Sequence, residues 1–191
     1  MTTTIGMKFD GGVVLGTDQR ATMGHFIATN EATKLVKLAP HIGLTLAGSC
    51  GDAQILIRYL QAEAKAYAFG NGRPMPVTAM ATYLANILHR AGGTLEVHLL
   101  VGGIDNTGTH LFSFDSIGAM EESNLTATGS GSPGALGLLE ALYSPDIEEE
   151  KAVELAVSAI KSAMRRDSGS GGRADVMVFG AEGCKHIQTA E

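Results

Sequence analysis

Three consecutive threonines, Thr2, Thr3 and Thr4, stand directly behind Met1 in MTTTIG. A methionine ahead of a small residue is readily trimmed, so Met1 is expected to be removed. Its loss would leave Thr2 with a free α-amine beside its own hydroxyl. An α-amine has a reference pKa of about 7.7–8, so part of it is an uncharged base near neutral pH. A threonine hydroxyl is a weak nucleophile that needs such a base beside it. β-Branching restricts χ1, so the hydroxyl can be held in one aim. Taken alone, the segment is also what an ordinary strand beginning with threonines looks like.

Other residue types along the chain suit the same chemistry. Asp18 ends a strand-like run in GTDQRATMG, and Lys34 precedes another in ATK. A lysine and a carboxylate usually form an ordinary ion pair. Buried beside a threonine hydroxyl, the cation would lower the pKa of both the hydroxyl and the amine. Gly48, in LAGSCGD, falls between a strand and a helix start. A glycine there permits close approach, and its N–H can point at a developing oxyanion.

Two Gly/Ser loops remain. GSGSPG at 129–134 matches the G-x-G-x-x-G pattern of dinucleotide sites. That reading needs strand–helix–strand alternation and an acidic residue at a strand end. Here Glu148–Glu150 fall at the start of the next helix, so a plain connection of small residues is preferred. RRDSGSGG at 165–172 reads either as a helix end with a turn or as a group that orients a polar partner. In the second case Asp167, Ser168 and Ser170 supply the carboxylate and hydroxyls.

The elements that must position these residues follow from periodicity. TTIGMKF and VVLGTD, joined by Asp10-Gly11-Gly12, read as a hairpin, and strand-like runs follow at 35–39 and 42–47. Ser49 is a plausible N-cap for a helix ending at Gly70. TAMATYLANILHRAGG sets Met80, Tyr83, Leu84, Ile87, Leu88 and Ala91 on one helical face and stops at Gly92-Gly93. EVHLLVGGID, THLFSFDS and SNLTAT return to strand character. Helices are expected near 133–142 and 147–166, the second burying Val153, Ala156, Ile160 and Ala163 or Met164. ADVMVFGA and CKHIQT close the chain as strands. Strands, two helices, strands, two helices, strands is a segregated order, and it predicts antiparallel sheets packed face to face beneath helix pairs. The 191 residues carry no evident linker or repeat, which points to one domain over 1–191.

Composition narrows the function classes. A net charge of −6 with no basic stretch beyond a pair such as Arg165-Arg166 argues against nucleic acid. Two cysteines make no disulfide framework, and without CxxC, HExxH or a histidine cluster no metal or other cofactor is expected. Cys50 reads as a small buried apolar residue rather than a redox group. No apolar run approaches the roughly 18 residues of a membrane span. With the first strand-like run starting at Thr3 there is no room for a signal peptide, so a cytoplasmic location is expected.

TTTIG, GTDQRATMG, LAGSCGDAQ, TGSGS and RRDSGSGG, in this order and spacing, resemble the β subunit of the proteasome core particle, and RATMG and AGSCGDAQ its archaeal type. The likeness covers nearly the whole chain and is weakest in about the last ten residues. It implies the α+β fold of N-terminal-nucleophile hydrolases, a four-layer αββα sandwich of two antiparallel sheets. It implies a threonine endopeptidase in which Thr2 is the nucleophile and its amine the proton shuttle. By the same resemblance Lys34 is expected to tune Thr2, Asp18 to hold Lys34, and Gly48 to supply the oxyanion amide. Ser130, Asp167 and Ser170 match the residues that orient the N-terminus in that family, and Arg20 a structural residue near Asp18. Ala21, Thr22, Ala32, Leu46 and Cys50 are expected from the resemblance to line the pocket for the residue before the cleaved bond; no charge appears among them, which predicts cleavage after apolar residues. The partners implied are α subunits and other β subunits in stacked heptameric rings, an ATPase cap and unfolded polypeptide, with neither nucleic acid nor membrane. Such subunits commonly carry a propeptide, whereas only Met1 precedes Thr2 here. The alternative is a catalytically silent structural subunit of the β ring.

Overall fold

The Asp10-Gly11-Gly12 turn joins β1 (Thr4–Phe9) to β2 (Gly12–Thr17) as the expected antiparallel hairpin. In the computed structural model, which describes residues 1–189, the chain continues through β3 (Ala21–Met23), β4 (Phe26–Thr29), β5 (Leu35–Ala39) and β6 (Ile42–Gly48). Helices α1 (Cys50–Asn71) and α2 (Val77–Ala91) follow, then β7 (Val97–Asp105), β8 (Gly108–Phe114), β9 (Met120–Glu122) and β10 (Leu125–Thr128). After α3 (Ser132–Leu142) and α4 (Glu149–Met164) the described chain closes with β11 (Asp175–Gly180) and β12 (Gly183–Gln188). The last two positions of the expected 1–191 span lie outside the described residues.

The strands form two five-stranded antiparallel sheets, ordered β10-β1-β2-β11-β12 and β5-β6-β7-β8-β9, while β3 and β4 pair as a separate hairpin. Alternation along each strand gives every sheet two buried faces. In β2, Val13 and Leu15 point between the sheets, where they meet Leu100, Leu111 and Phe179. Val14, with Ile5 and Met7, points outward into the small-residue face of α4, at Ala156, Ala159 and Ile160. On the other side Leu44 and Leu99 pack under Leu56 and Leu60 of α1 and Leu84 and Leu88 of α2. The result is the expected four-layer αββα sandwich. Burial of apolar area at both helix–sheet seams and between the sheets is its main stabilising term.

Several boundaries differ from the sequence expectation. Helix α1 runs past Gly70 to Asn71, because Gly72 is the residue that turns left-handed (φ 64°) and donates its N–H to the Ala68 carbonyl. Helix α4 begins at Glu149, and its buried stripe is Ala152, Leu155, Ala156, Ala159, Ile160 and Ala163, with Val153 at the margin. The two-stranded hairpin β3–β4 and the three-residue β9 are not expected from the sequence. Their residues are mostly exposed, so no apolar alternation marks them. Among the described residues no helix is long and apolar enough to cross a membrane.

Candidate active site

The site lies where the two sheets open at one end of the sandwich. From the first sheet, the β1–β2 ladder continues past its Thr4–Thr17 pair, with the Asp18 N–H donating to the Thr3 carbonyl at 3.2 Å. From the second, Lys34 stands just before β5, and its carbonyl accepts the Leu46 N–H of β6 at 2.9 Å. Backbone pairing in two different sheets thus brings Asp18 and Lys34 together.

Asp18 is fully buried and saturated with donors. Its Oδ1 accepts from Lys34 Nζ (2.7 Å), the Thr3 N–H (3.0 Å) and the Thr2 hydroxyl (3.2 Å). Its Oδ2 accepts the N–H groups of Arg20 and Gly171, each at 2.9 Å. Lys34 Nζ also donates to Thr2 Oγ1. Burial pushes the Lys34 ammonium below its ordinary range, and Asp18 opposes that shift by charge and hydrogen bond. The Thr2 hydroxyl therefore sits between a carboxylate that takes its hydrogen bond and a cation that donates to its oxygen.

The Thr2 nitrogen donates to Ser130 Oγ at 3.0 Å. Here that nitrogen is the amide bonded to Met1. On loss of Met1 the same atom is the α-amine, so Ser130 marks its place. Both Ser130 Oγ (2.8 Å) and Ser170 Oγ (2.6 Å) donate to Asp167 Oδ2, and Thr3 Oγ1 meets Ser170 Oγ at 2.6 Å. Burial tends to raise the Asp167 carboxyl, but the Ser170 and Ser130 hydroxyls and the Gly169 N–H outweigh it and hold the group below the usual carboxylate range. The glycines of GSGSPG leave room for the N-terminus. A Cβ on Gly129 would fall on the Thr2 carbonyl, and one on Gly131 on the Thr3 hydroxyl. The phosphate-loop pattern is therefore a cradle for backbone.

Gly48 ends β6 with φ 111°, and a Cβ there would strike the Glu96 carbonyl, so only glycine fits. Around a narrow cleft of about 40 Å³, Ala21, Thr22, Leu46 and Cys50 meet Thr2 and Gly48. Ala32 does not line that cleft; its N–H donates to the Gln19 carbonyl at 2.8 Å. Cys50 is exposed rather than buried, because it opens α1 at the cleft rim. Arg20 ties two segments together through Asn30 Oδ1 and the Ser168 carbonyl, each at 3.0 Å. Sequence reasoning misses Thr3 and Gly171, whose only signal is adjacency to residues already singled out. It also misses His98, which lines a second cleft beside Thr2.

The family described as proteasome subunit matches residues 1–179 of this sequence. The chain belongs to the proteasome subunit family. It is 47% identical over 182 residues to the proteasome subunit beta of Methanospirillum hungatei, covering 93% of this chain and 86% of that protein. That of Methanoculleus marisnigri is 49% identical over 179 residues, covering 93% and 83%. That of Methanocaldococcus jannaschii is 46% identical over 193 residues, covering 100% and 86%. The proteasome match spans every residue of this site, from Thr2 to Gly171, and the resemblance read from the motifs holds as family membership.

Proposed function

We propose that this chain is the peptide-cleaving subunit of a proteasome core particle, a threonine endopeptidase acting through Thr2. The observation that carries the reading is the Thr2 hydroxyl between Asp18 Oδ1 and Lys34 Nζ, with its own nitrogen on Ser130. After Met1 is removed, the Thr2 hydroxyl attacks the peptide carbonyl carbon while the α-amine, directly or through a water, accepts its proton. Lys34 stabilises the alkoxide, and Asp18 fixes Lys34. The Gly48 N–H receives the oxyanion, a donor worth about 3–4 kcal/mol in such sites. The amine product leaves with the shuttled proton, and a water activated by the same amine releases the acid from the acyl ester. Ser130, Asp167 and Ser170 hold the N-terminus in place. Lys34 and Arg20 also line the cleft of Ala21, Thr22, Leu46 and Cys50. With Lys34 Nζ committed to Asp18 and Thr2, and the Arg20 guanidinium to Asn30 and the Ser168 carbonyl, the cleft takes an apolar residue before the bond. The chain works in the cytoplasm within stacked heptameric rings of α and β subunits, fed with unfolded polypeptide by an ATPase cap.

Intact mass spectrometry before and after treatment with a peptide α′,β′-epoxyketone tests this, since that warhead closes a ring only on a free α-amine with a neighbouring hydroxyl. Loss of Met1 and a single adduct on Thr2 are expected. A particle co-assembled with α-type subunits that keeps Met1 and forms no adduct would overturn the reading.

A further inference from the structure

Thr2, Ala47 and Gly48 form a wall common to two clefts. The narrow one, with Leu46 and Cys50, lies where β5 flanks β6 and where the chain leaves β2. The other, about 530 Å³, lies where β7 flanks β6 and where the chain leaves β10. His98, Thr128 and Ser130 line it. Because β5 and β7 are opposite neighbours of β6, and β2 and β10 opposite neighbours of β1, the two clefts flank Thr2 on opposite sides.

His98 pairs with Ala47 in register and shares the inter-sheet face with Leu100, two residues on. The packed core ends at Leu100, the sandwich opens, and the imidazole is exposed in the mouth. Ser130 Oγ is engaged by Thr2 and Asp167, and Thr128 Oγ1 by Thr4 at 2.6 Å. Among the described residues His98 makes no hydrogen bond or ion pair, which leaves it as the uncommitted polar side chain of this cleft. No carboxylate, lysine or arginine lines it.

We infer that His98 selects the residue after the scissile bond, favouring a side chain that exchanges hydrogen bonds with an imidazole, above all a carboxamide, over an apolar one of similar size. This rests on the peptidase reading of Thr2. With the attacked carbon on Thr2 Oγ1 and its oxygen towards Gly48, the acyl half enters one cleft and the departing half must enter the other. Imidazole carries one donor and one acceptor nitrogen when neutral, matching the amide of glutamine or asparagine.

The test uses the full chain assembled with its α-type partner subunits. Internally quenched peptides identical up to the cleaved bond carry Gln or Leu immediately after it, with the cut site verified by mass spectrometry. A coumaryl amide with no residue beyond the bond is assayed in parallel. The expected Gln-to-Leu ratio in kcat/KM is about three- to tenfold, the range of one net hydrogen bond. It should fall to near one in His98→Leu and be partly retained in His98→Asn. A ratio at or below one in the unsubstituted protein, or one that survives His98→Leu, overturns the role of His98. The first of these outcomes requires no variant to fold, because it is read on the unsubstituted protein. Failure to hydrolyse the coumaryl amide instead overturns the peptidase reading, and this inference with it.

Discussion

Lys34 Nζ lies 2.7 Å from Asp18 Oδ1, and the two side chains, 4% and 0% exposed, come from different sheets. A pair this deeply buried behaves unlike a surface ion pair. Each partner is tolerated only because the other is present, and removing one strands a charge away from water.

Replacing Lys34 with methionine is therefore expected to abolish peptide turnover and to destabilise the fold by about 3–5 kcal/mol. Arginine at this position keeps the charge, but its planar fork cannot reproduce a point donor to both Asp18 and Thr2. Lys34→Arg should lose turnover while retaining part of the stability. Denaturant titration and peptide hydrolysis measured together check this, and a Lys34→Met protein as stable as the parent would contradict it.

Two glycines close together in the sequence should respond in opposite directions. Gly48→Ala places a Cβ against the Glu96 carbonyl at φ 111°, which costs about 1–3 kcal/mol and turns away the amide proposed to receive the oxyanion. Gly51, in the first turn of α1, has open space where a Cβ would stand. Gly51→Ala should stabilise the protein by about 0.4–1 kcal/mol through the unfolded chain. Thermal melts of the two variants decide the point.

Asp167 gives the site an acid limit. Its carboxyl is held below the usual range in the fold, so the stabilisation it contributes is complete above the unfolded value of about 3.9 and disappears as pH falls through the folded value. Hydrogen exchange at 130–131 and 168–171 should accelerate below about pH 4. Asp167→Asn should already exchange fast at pH 7 and lose that acid transition.

Thr3 is expected to matter almost as much as its neighbour. Its hydroxyl meets Ser170 Oγ at 2.6 Å in a buried chain of hydrogen bonds that ends on Asp167. Thr3→Val keeps the shape and removes the polar partner, at an expected cost of about 1–3 kcal/mol, whereas Thr3→Ser should be mild. Equal stability of the two variants would show that this link is dispensable.

The two cysteines should differ in reactivity. Cys50 is exposed in the narrow cleft, while burial pushes the half-buried Cys184 thiol up, with Lys37 opposing the shift. A maleimide is expected to label Cys50 first and to stop peptide turnover by filling the cleft. Peptide mapping against residual activity checks this, and Cys50→Ser should abolish the sensitivity to the reagent.

Much of the fold is legible in the sequence because its long elements carry strong periods. The Met80–Leu84–Leu88 stripe of α2 and the Asp10-Gly11-Gly12 turn of the first hairpin need no tertiary information, whereas the run Val13-Val14-Leu15 is apolar throughout and only the fold shows which layer each side chain faces. The hairpin β3–β4 is not legible, since Met23, Phe26 and Ile27 are exposed and carry no inside–outside contrast. The end of α1 is ambiguous because both Gly70 and Gly72 can stop a helix, and only the backbone shows which one turns left-handed. Residue type alone assigns Cys50 to the interior, although its place at the first turn of α1 puts it on the cleft rim.

The sequence by itself determined which groups are available and to which family they belong. A threonine behind Met1, a lysine, an aspartate and two Gly/Ser loops are local facts, and their order is specific enough to name proteasome subunits. What only the tertiary structure decided is which of these groups meet. Ser130 reaches the Thr2 nitrogen across 128 residues, and Ser170 reaches Thr3 across 167. Those contacts depend on strands β10, β1 and β2 lying side by side and on α4 ending above them. The second cleft with His98 arises the same way, from the point where two sheets stop packing against each other. Chemical identity is encoded residue by residue, whereas distance within the site is set by sheet pairing between segments far apart in the chain.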